Sequence, residues 1–186
     1  MAAAPGIFRV AFICGGAKSG KSRLAQNLAE SLPGPRLYVA TGEALDEEMQ
    51  ARIARHQQDR GPEWQTREEP LALAPVLRET DGRYGVILVD CLTMWLANLM
   101  GRGEGDLAKE RQQLGEVLQV MTSPVILVSN EVGWGIVPDN LLARRFRDVA
   151  GGLHQEIAAL ADVAVLVVSG LPVYLKGKQI LSNAKD

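Results

Sequence analysis

Gly15-Gly16-Ala17-Lys18-Ser19-Gly20-Lys21-Ser22 fits the pattern G-x-x-x-x-G-K-[ST], and its flanks decide the fold. Before it runs Val10-Ala11-Phe12-Ile13-Cys14, an apolar run of buried-strand character. After it, Leu24, Leu28 and Leu32 recur at helical spacing. Strand, glycine loop and helix is the arrangement that wraps backbone amides and a helix N-terminus around an anion. Lys21 is placed to reach β- and γ-phosphates, and the Ser22 hydroxyl to bind Mg²⁺. The stretch therefore predicts a nucleoside triphosphate site; a glycine-rich turn arising by chance does not need both flanks.

The rest of the composition is ordinary for one soluble domain. The chain has 186 residues, 47% hydrophobic and 23% charged, with a net charge of −2. That length buries a substantial core, and that charge gives no electrostatic footprint for nucleic acid. No apolar run approaches the ~18 residues of a membrane span. Residues 1–9 carry one charge, Arg9, and do not read as a signal peptide. Cys14 and Cys91 are the only cysteines, both in apolar strand-like contexts, which points to a reducing compartment and no structural zinc. A cytoplasmic enzyme is expected. The whole chain, 1–186, reads as a single nucleotide-binding domain, with 1–9 and 177–186 as tails.

Strands and helices alternate along the chain. Pro33-Gly34-Pro35 stops the first helix, at about residue 32. A strand follows over 36–41, then a polar helix over 44–58, acidic early and basic late. Residues 63–69 read as extended, and Pro70 opens a helix to about 79. A strand over 84–90 carries Val86-Ile87-Leu88-Val89 and ends on Asp90. Four consecutive aliphatic residues fit a parallel strand buried on both faces. Helices over 92–100 and 106–121 flank a glycine-rich connection, 101–105. Further strands are expected over 125–129, 163–169 and 171–175, with a long helix over 140–160. The alternation predicts an α/β fold, a mainly parallel sheet with helices on both faces.

Several residues beyond the loop can carry chemistry. Asp90, at a strand's carboxyl end, is either the second Mg²⁺-side acid of a phosphate-loop site or a cap for the helix at 92. His56 lies among Arg55, Gln57, Gln58, Asp59 and Arg60. It is either a solvated side chain or a neutral imidazole nucleophile in an anion site. His154 sits mid-helix and reads as a partly buried or surface residue. Asn130 and Glu131 end a strand before Gly133-Trp134-Gly135, either a substrate-side loop or an ordinary connection with an apolar anchor. Arg144-Arg145-Phe146-Arg147 is a solvated helix face, a phosphate contact or a subunit interface.

Together these motifs resemble the bifunctional adenosylcobinamide kinase/adenosylcobinamide-phosphate guanylyltransferase family of cobalamin biosynthesis. The resemblance spans roughly residues 10–176. It rests on the glycine loop, Ala40-Thr41-Gly42, the segment 49–64 around His56, Asp90-Cys91-Leu92-Thr93, the loop 130–138 and Arg144-x-Phe146-Arg147-Asp148-x-x-Gly151. It implies a RecA-like P-loop fold and a propeller-shaped homotrimer. It also implies two reactions. ATP or GTP phosphorylates adenosylcobinamide; GTP then guanylylates a histidine, and GMP passes to adenosylcobinamide phosphate to give adenosylcobinamide-GDP. Carried onto this sequence, His56 is the nucleophile. The implied nucleotide contacts are Gly15, Gly16, Ala17, Lys18, Ser19, Gly20, Lys21 and Ser22, then Ala40, Thr41 and Gly42, then Gln57, Gln58, Asp59 and Arg60, and Glu68 and Asp90. The sequence departs from the family pattern at Lys18, where arginine is frequent, at the glycine inserted between Arg60 and Pro62, and at His154-Gln155, where Asn-Gln is common.

Two rivals are weaker. A plain phosphate-loop ATPase or kinase leaves the 130–138 loop and the His56 segment unexplained. A GTP-sensing switch lacks an Asn-Lys-x-Asp guanine-reading motif.

Overall fold

The computed structural model describes residues 8–42 and 61–180. The expected helix over 44–58, and with it His56, Gln57, Gln58, Asp59 and Arg60, lies outside the described residues.

Seven strands form one sheet in the order β3-β2-β4-β5-β1-β6-β7. They are β1 (Val10–Gly15), β2 (Arg36–Ala40), β3 (Trp64–Glu68), β4 (Val86–Asp90), β5 (Val125–Asn130), β6 (Val163–Val168) and β7 (Leu171–Lys176). Every neighbouring pair is parallel except β6 with β7. The described helices are α1 (Lys21–Glu30), α2 (Leu73–Thr80), α3 (Leu92–Met100), α4 (Glu104–Val120) and α5 (Leu141–Leu160).

The inner strands β1, β2, β4 and β5 are buried on both faces, as their aliphatic runs require. Ala11, Ile13, Val86, Leu88, Ile126 and Val128 meet Ala25, Leu28 and Ala29 of α1 on one face. Val10, Phe12, Ile87, Val89, Val125 and Leu127 face the other four helices. There Trp95, Leu96, Leu114 and Leu118 are fully buried, each contributing roughly 1.5–3 kcal/mol of transfer free energy. Trp95 also donates its indole N–H to the Leu71 carbonyl at 2.6 Å, so its one polar atom is satisfied.

Some boundaries differ from those the sequence predicts. The first helix begins at Lys21, directly on the glycine loop, rather than after it. Pro70 does not open a helix: the Glu69 carboxylate accepts the amides of Leu71 and Ala72 (3.0 and 2.7 Å), and α2 starts at Leu73. Helix α4 starts at Glu104, with Glu104 and Asp106 in its first turn, where acids meet the positive end of the helix dipole. Strand β4 starts at Val86 because Gly85 belongs to the preceding turn. A Cβ there would stand 1.8 Å from the Pro33 carbonyl oxygen. The C-terminal end of α1 is closed by buried Arg36, which donates to the carbonyls of Ala29, Glu30 and Leu32 and pairs with Glu63. The last strand turns back through Ser169 (φ 52°) and Gly170 (φ 83°). Consecutive left-handed residues make a tight hairpin, which is why β7 runs antiparallel at the sheet edge.

Candidate functional site at the carboxyl edge of the sheet

Backbone geometry shapes the glycine loop. Ser19 donates its amide to the Gly16 carbonyl at 3.2 Å, and Gly20 takes φ 96° as the helix cap. No side chain caps α1 and no acid stands in its first turn, so the amides of that turn face the loop. Gly15 is required by space: a Cβ there would lie 2.5 Å from the Val167 carbonyl oxygen and 2.6 Å from Ser19 Oγ. Lys21 is 8% exposed, its Nζ 3.2 Å from the Gly16 carbonyl oxygen, so the ammonium folds back over the loop. Ser19 Oγ is buried with no hydrogen-bond partner among the described residues. Gly16, Ala17 and Lys18 are exposed at the loop's tip, and Lys18 holds φ 55°.

The sheet brings Asp90 to the same edge. One strand, β5, stands between β1 and β4, and the register sets Ile13, Val128 and Asp90 level. Asp90 does not cap α3. Cys91 holds the N-cap position with no side-chain capping bond, its Sγ lying 3.2 Å from Thr93 Oγ1 instead, and Asp90 Oδ2 accepts from the Tyr38 hydroxyl at 3.2 Å. Thr41, fully buried, commits its hydroxyl to Cys91, donating to its carbonyl at 2.7 Å and accepting from its amide at 2.8 Å. Ala40 is buried and Gly42 half-buried beside it. Glu68 is exposed at the end of β3, four strand spacings from β1, or about 19 Å. So the loop, Ala40–Gly42 and Asp90 share one edge, with Glu68 at its far end.

Both thiols are inert. Burial, then the Glu131 carboxylate, push the Cys14 thiol up to about 11 against the opposing field of Lys21. Burial, then Asp90, push Cys91 up as well. Neither forms a thiolate near neutral pH.

Sequence reading missed a polar group behind the loop. Ser129, at the end of β5, is fully buried, and its Oγ lies 2.7 Å from His154 Nε2. His154 Nδ1 faces Glu131 Oε2 at 3.9 Å. Glu131 donates its amide to the Gly15 carbonyl at 3.0 Å. The available signal was a serine closing an otherwise aliphatic strand. Of the arginine cluster, Arg144 donates to the carbonyls of Pro138 and Asp139, and Arg145 pairs with Glu104. These two act within the fold.

A glycine loop feeding a helix, with its lysine and an acid at one edge of a mainly parallel sheet, defines a phosphate-loop nucleotide-binding protein of RecA-like α/β fold. Among solved structures, a prototypical ATPase from the type III secretion system of pathogenic bacteria has the same fold. It superposes with a TM-score of 0.55 at 12% identity, covering 89% of this chain and 56% of that one. The family model described as cobinamide kinase / cobinamide phosphate guanyltransferase matches residues 11–175. The bifunctional adenosylcobalamin biosynthesis protein CobP of Pseudomonas aeruginosa is 47% identical over 90% of this chain and 98% of its own length. The corresponding protein CobU of Salmonella typhimurium is 40% identical over 88% and 98%. The chain belongs to the cobinamide kinase / cobinamide phosphate guanyltransferase family. It is a bifunctional kinase and guanylyltransferase of cobalamin biosynthesis.

Proposed function

We propose that one nucleotide site serves both reactions, with Lys21 binding phosphate in each and His56 carrying GMP between them. In the first, the hydroxyl of adenosylcobinamide attacks the γ-phosphorus of ATP or GTP, and the nucleoside diphosphate leaves. In the second, a neutral His56 nitrogen attacks the α-phosphorus of GTP; an N–P bond forms and the bond to pyrophosphate breaks. A phosphate oxygen of adenosylcobinamide phosphate then attacks the same phosphorus and the N–P bond breaks, releasing adenosylcobinamide-GDP. Two displacements at one phosphorus retain configuration overall. The observation that carries this reading is Lys21 folded over the glycine loop at the edge that also holds Asp90.

In this reading Gly15 to Ser22, Ala40, Thr41, Gly42, Gln57, Gln58, Asp59, Arg60, Glu68 and Asp90 contact the nucleotide. Ser19 Oγ, buried without a partner among the described residues, suits a phosphate oxygen. The Ser22 hydroxyl and the Asp90 carboxylate would hold Mg²⁺. No group of three or more His, Cys, Asp or Glu side chains among the described residues could hold a metal. Two oxygen ligands, completed by phosphate oxygens and water, suit the way Mg²⁺ binds. Bound there, it would neutralise charge on the phosphate oxygens. The working assembly is a homotrimer in the cytoplasm. Trp134, Ile136, Leu141 and Leu142, each more than 60% exposed along one stretch of chain, supply apolar surface for subunit contact.

The test is chemical. The protein is incubated with Mg²⁺ and GTP labelled at the α-phosphate, then denatured. An acid-labile, alkali-stable adduct is expected, absent in His56→Ala. No adduct in the wild type, or an undiminished one in His56→Ala, would sink guanylylation at His56.

A further inference from the structure

The reactions above leave one partner of Asp90 without a role. Tyr38 stands on β2, beside β4, and the parallel register sets Tyr38 level with Leu88 and Ala40 level with Asp90. Residues two apart on a strand share a face. Tyr38, Ala40 and Leu88 all belong to the core on the α1 side, so Asp90 lies on that face one step beyond Leu88. A diagonal neighbour on the adjacent strand is within reach of an aromatic side chain. The Tyr38 hydroxyl covers that step and donates to Asp90 Oδ2 at 3.2 Å.

Both ends of this bond are set by the core. The Tyr38 ring is buried and packs edge-on against Trp64 of β3, with 6.4 Å between centroids and 74° between planes. A packed tyrosine has only two torsions to lose, so its hydroxyl stands at a fixed point. The backbone at Asp90 is tied to β2 separately. The Thr41 amide donates to the Asp90 carbonyl at 3.2 Å. The Thr41 hydroxyl donates to the Cys91 carbonyl at 2.7 Å and accepts the Cys91 amide at 2.8 Å. With its backbone held, Asp90 keeps only the rotation of its carboxylate, and the bond from Tyr38 to Oδ2 removes that. Mg²⁺ demands near-ideal octahedral geometry, so an acid whose rotation is already fixed has less to order when the cation binds.

We propose that Tyr38 is a positioning residue of the nucleotide site, its hydroxyl holding Asp90 Oδ2 so that Oδ1 is presented to the Mg²⁺ that accompanies the triphosphate. This rests on the reading of Asp90 as a metal ligand given above. Tyr38 acts only through Asp90. A buried phenol also needs a hydrogen-bond partner for its own sake, and a bond that served the fold alone would leave the cation's contribution to nucleotide binding unchanged.

The experiment measures the Kd of α,β-methylene-GTP, whose α–β bridge cannot be cleaved, once with Mg²⁺ and once with EDTA. It compares the full-length wild type, Tyr38→Phe, Asp90→Asn and the double variant, with a thermal midpoint for each. Tyr38→Phe keeps the ring and removes one oxygen. Its Kd in EDTA is expected within about twofold of wild type, and its tightening by Mg²⁺ about tenfold smaller, the scale on which partners of ligating carboxylates act. Asp90→Asn should reduce the tightening at least as far, and adding Tyr38→Phe to it should change neither Kd further. Wild-type tightening in Tyr38→Phe, or an equal weakening with Mg²⁺ and with EDTA, would overturn the proposal; a purely structural bond predicts one of those results. Wild-type tightening in Asp90→Asn defeats the metal reading of Asp90, and the role of Tyr38 falls with it.

Discussion

The Gly170 amide donates a 2.8 Å hydrogen bond to the Ser19 carbonyl, so the β6–β7 hairpin turn buttresses the glycine loop from outside the motif. Gly20 closes the contact. It holds φ 96°, and a Cβ on it would lie 3.2 Å from Gly170 Cα. Gly20→Ala is therefore expected to cost about 1–3 kcal/mol, the usual cost of a strained left-handed residue, and to weaken GTP binding. Thermal melts and GTP titration check this; a variant that melts and binds like the wild type would show that the turn does not constrain the loop.

Lys21 is nearly buried, and its ammonium lies over Gly16. Lys21→Met keeps most of the aliphatic stem and removes the charge. The expected outcome is a roughly 10²–10³-fold lower kcat for corrinoid phosphorylation, on the scale of losing one charge-stabilising donor, with a near-native melting temperature. Steady-state kinetics decide it, and retained turnover would remove Lys21 from the mechanism.

Asp81 ties the end of α2 to the residues before β5. Its carboxylate accepts from the Thr122 amide and hydroxyl and the Ser123 amide at 2.8–3.0 Å through Oδ1. Asp81→Ala is expected to destabilise the fold by about 1–3 kcal/mol. Burial alone would raise the carboxyl, but the donors from Ser123 and Thr122 outweigh it and hold it below the ordinary 3.8. A lowered folded value means stability present above 3.8 and lost as pH falls through the folded value. Denaturant midpoints near neutral pH and below pH 3.8 should show the wild-type advantage over Asp81→Ala shrinking in acid.

His154 gives a second pH signature. Burial lowers its pKa from 6.5, against a smaller upward pull from Glu131. The unfolded chain then binds a proton before the folded one does, so stability is full above pH 6.5 and declines as pH falls toward the folded value. Urea midpoints from pH 7.5 to 5 should fall less steeply in His154→Asn than in the wild type. Parallel curves would mean that the imidazole titrates alike in both states.

Much of this was legible in local pattern. The glycine loop with its flanks, and the aliphatic runs at 86–89 and 125–128, depend on neighbours in sequence, and each lies where the pattern predicts. Boundaries were less legible where a distant group intervened. Glu69 displaced the start of α2 by bonding two amides, and the close approach of Gly85 to Pro33 delayed β4. His154 read as an unremarkable helical residue because its partners, Ser129 and Glu131, are more than twenty positions away.

The sequence by itself determined the chemistry available: a triphosphate loop, a strand-end acid, and two motifs specific enough to reveal the family. Only the tertiary structure decided which groups meet. Strand order placed β5 between the loop and Asp90, so Glu131 touches Gly15, and a hairpin 150 residues downstream supports Ser19. The physical reason is that a strand's neighbours are chosen by burial of whole faces and by backbone pairing across the sheet. Those choices sum over the entire core, and no local stretch carries them.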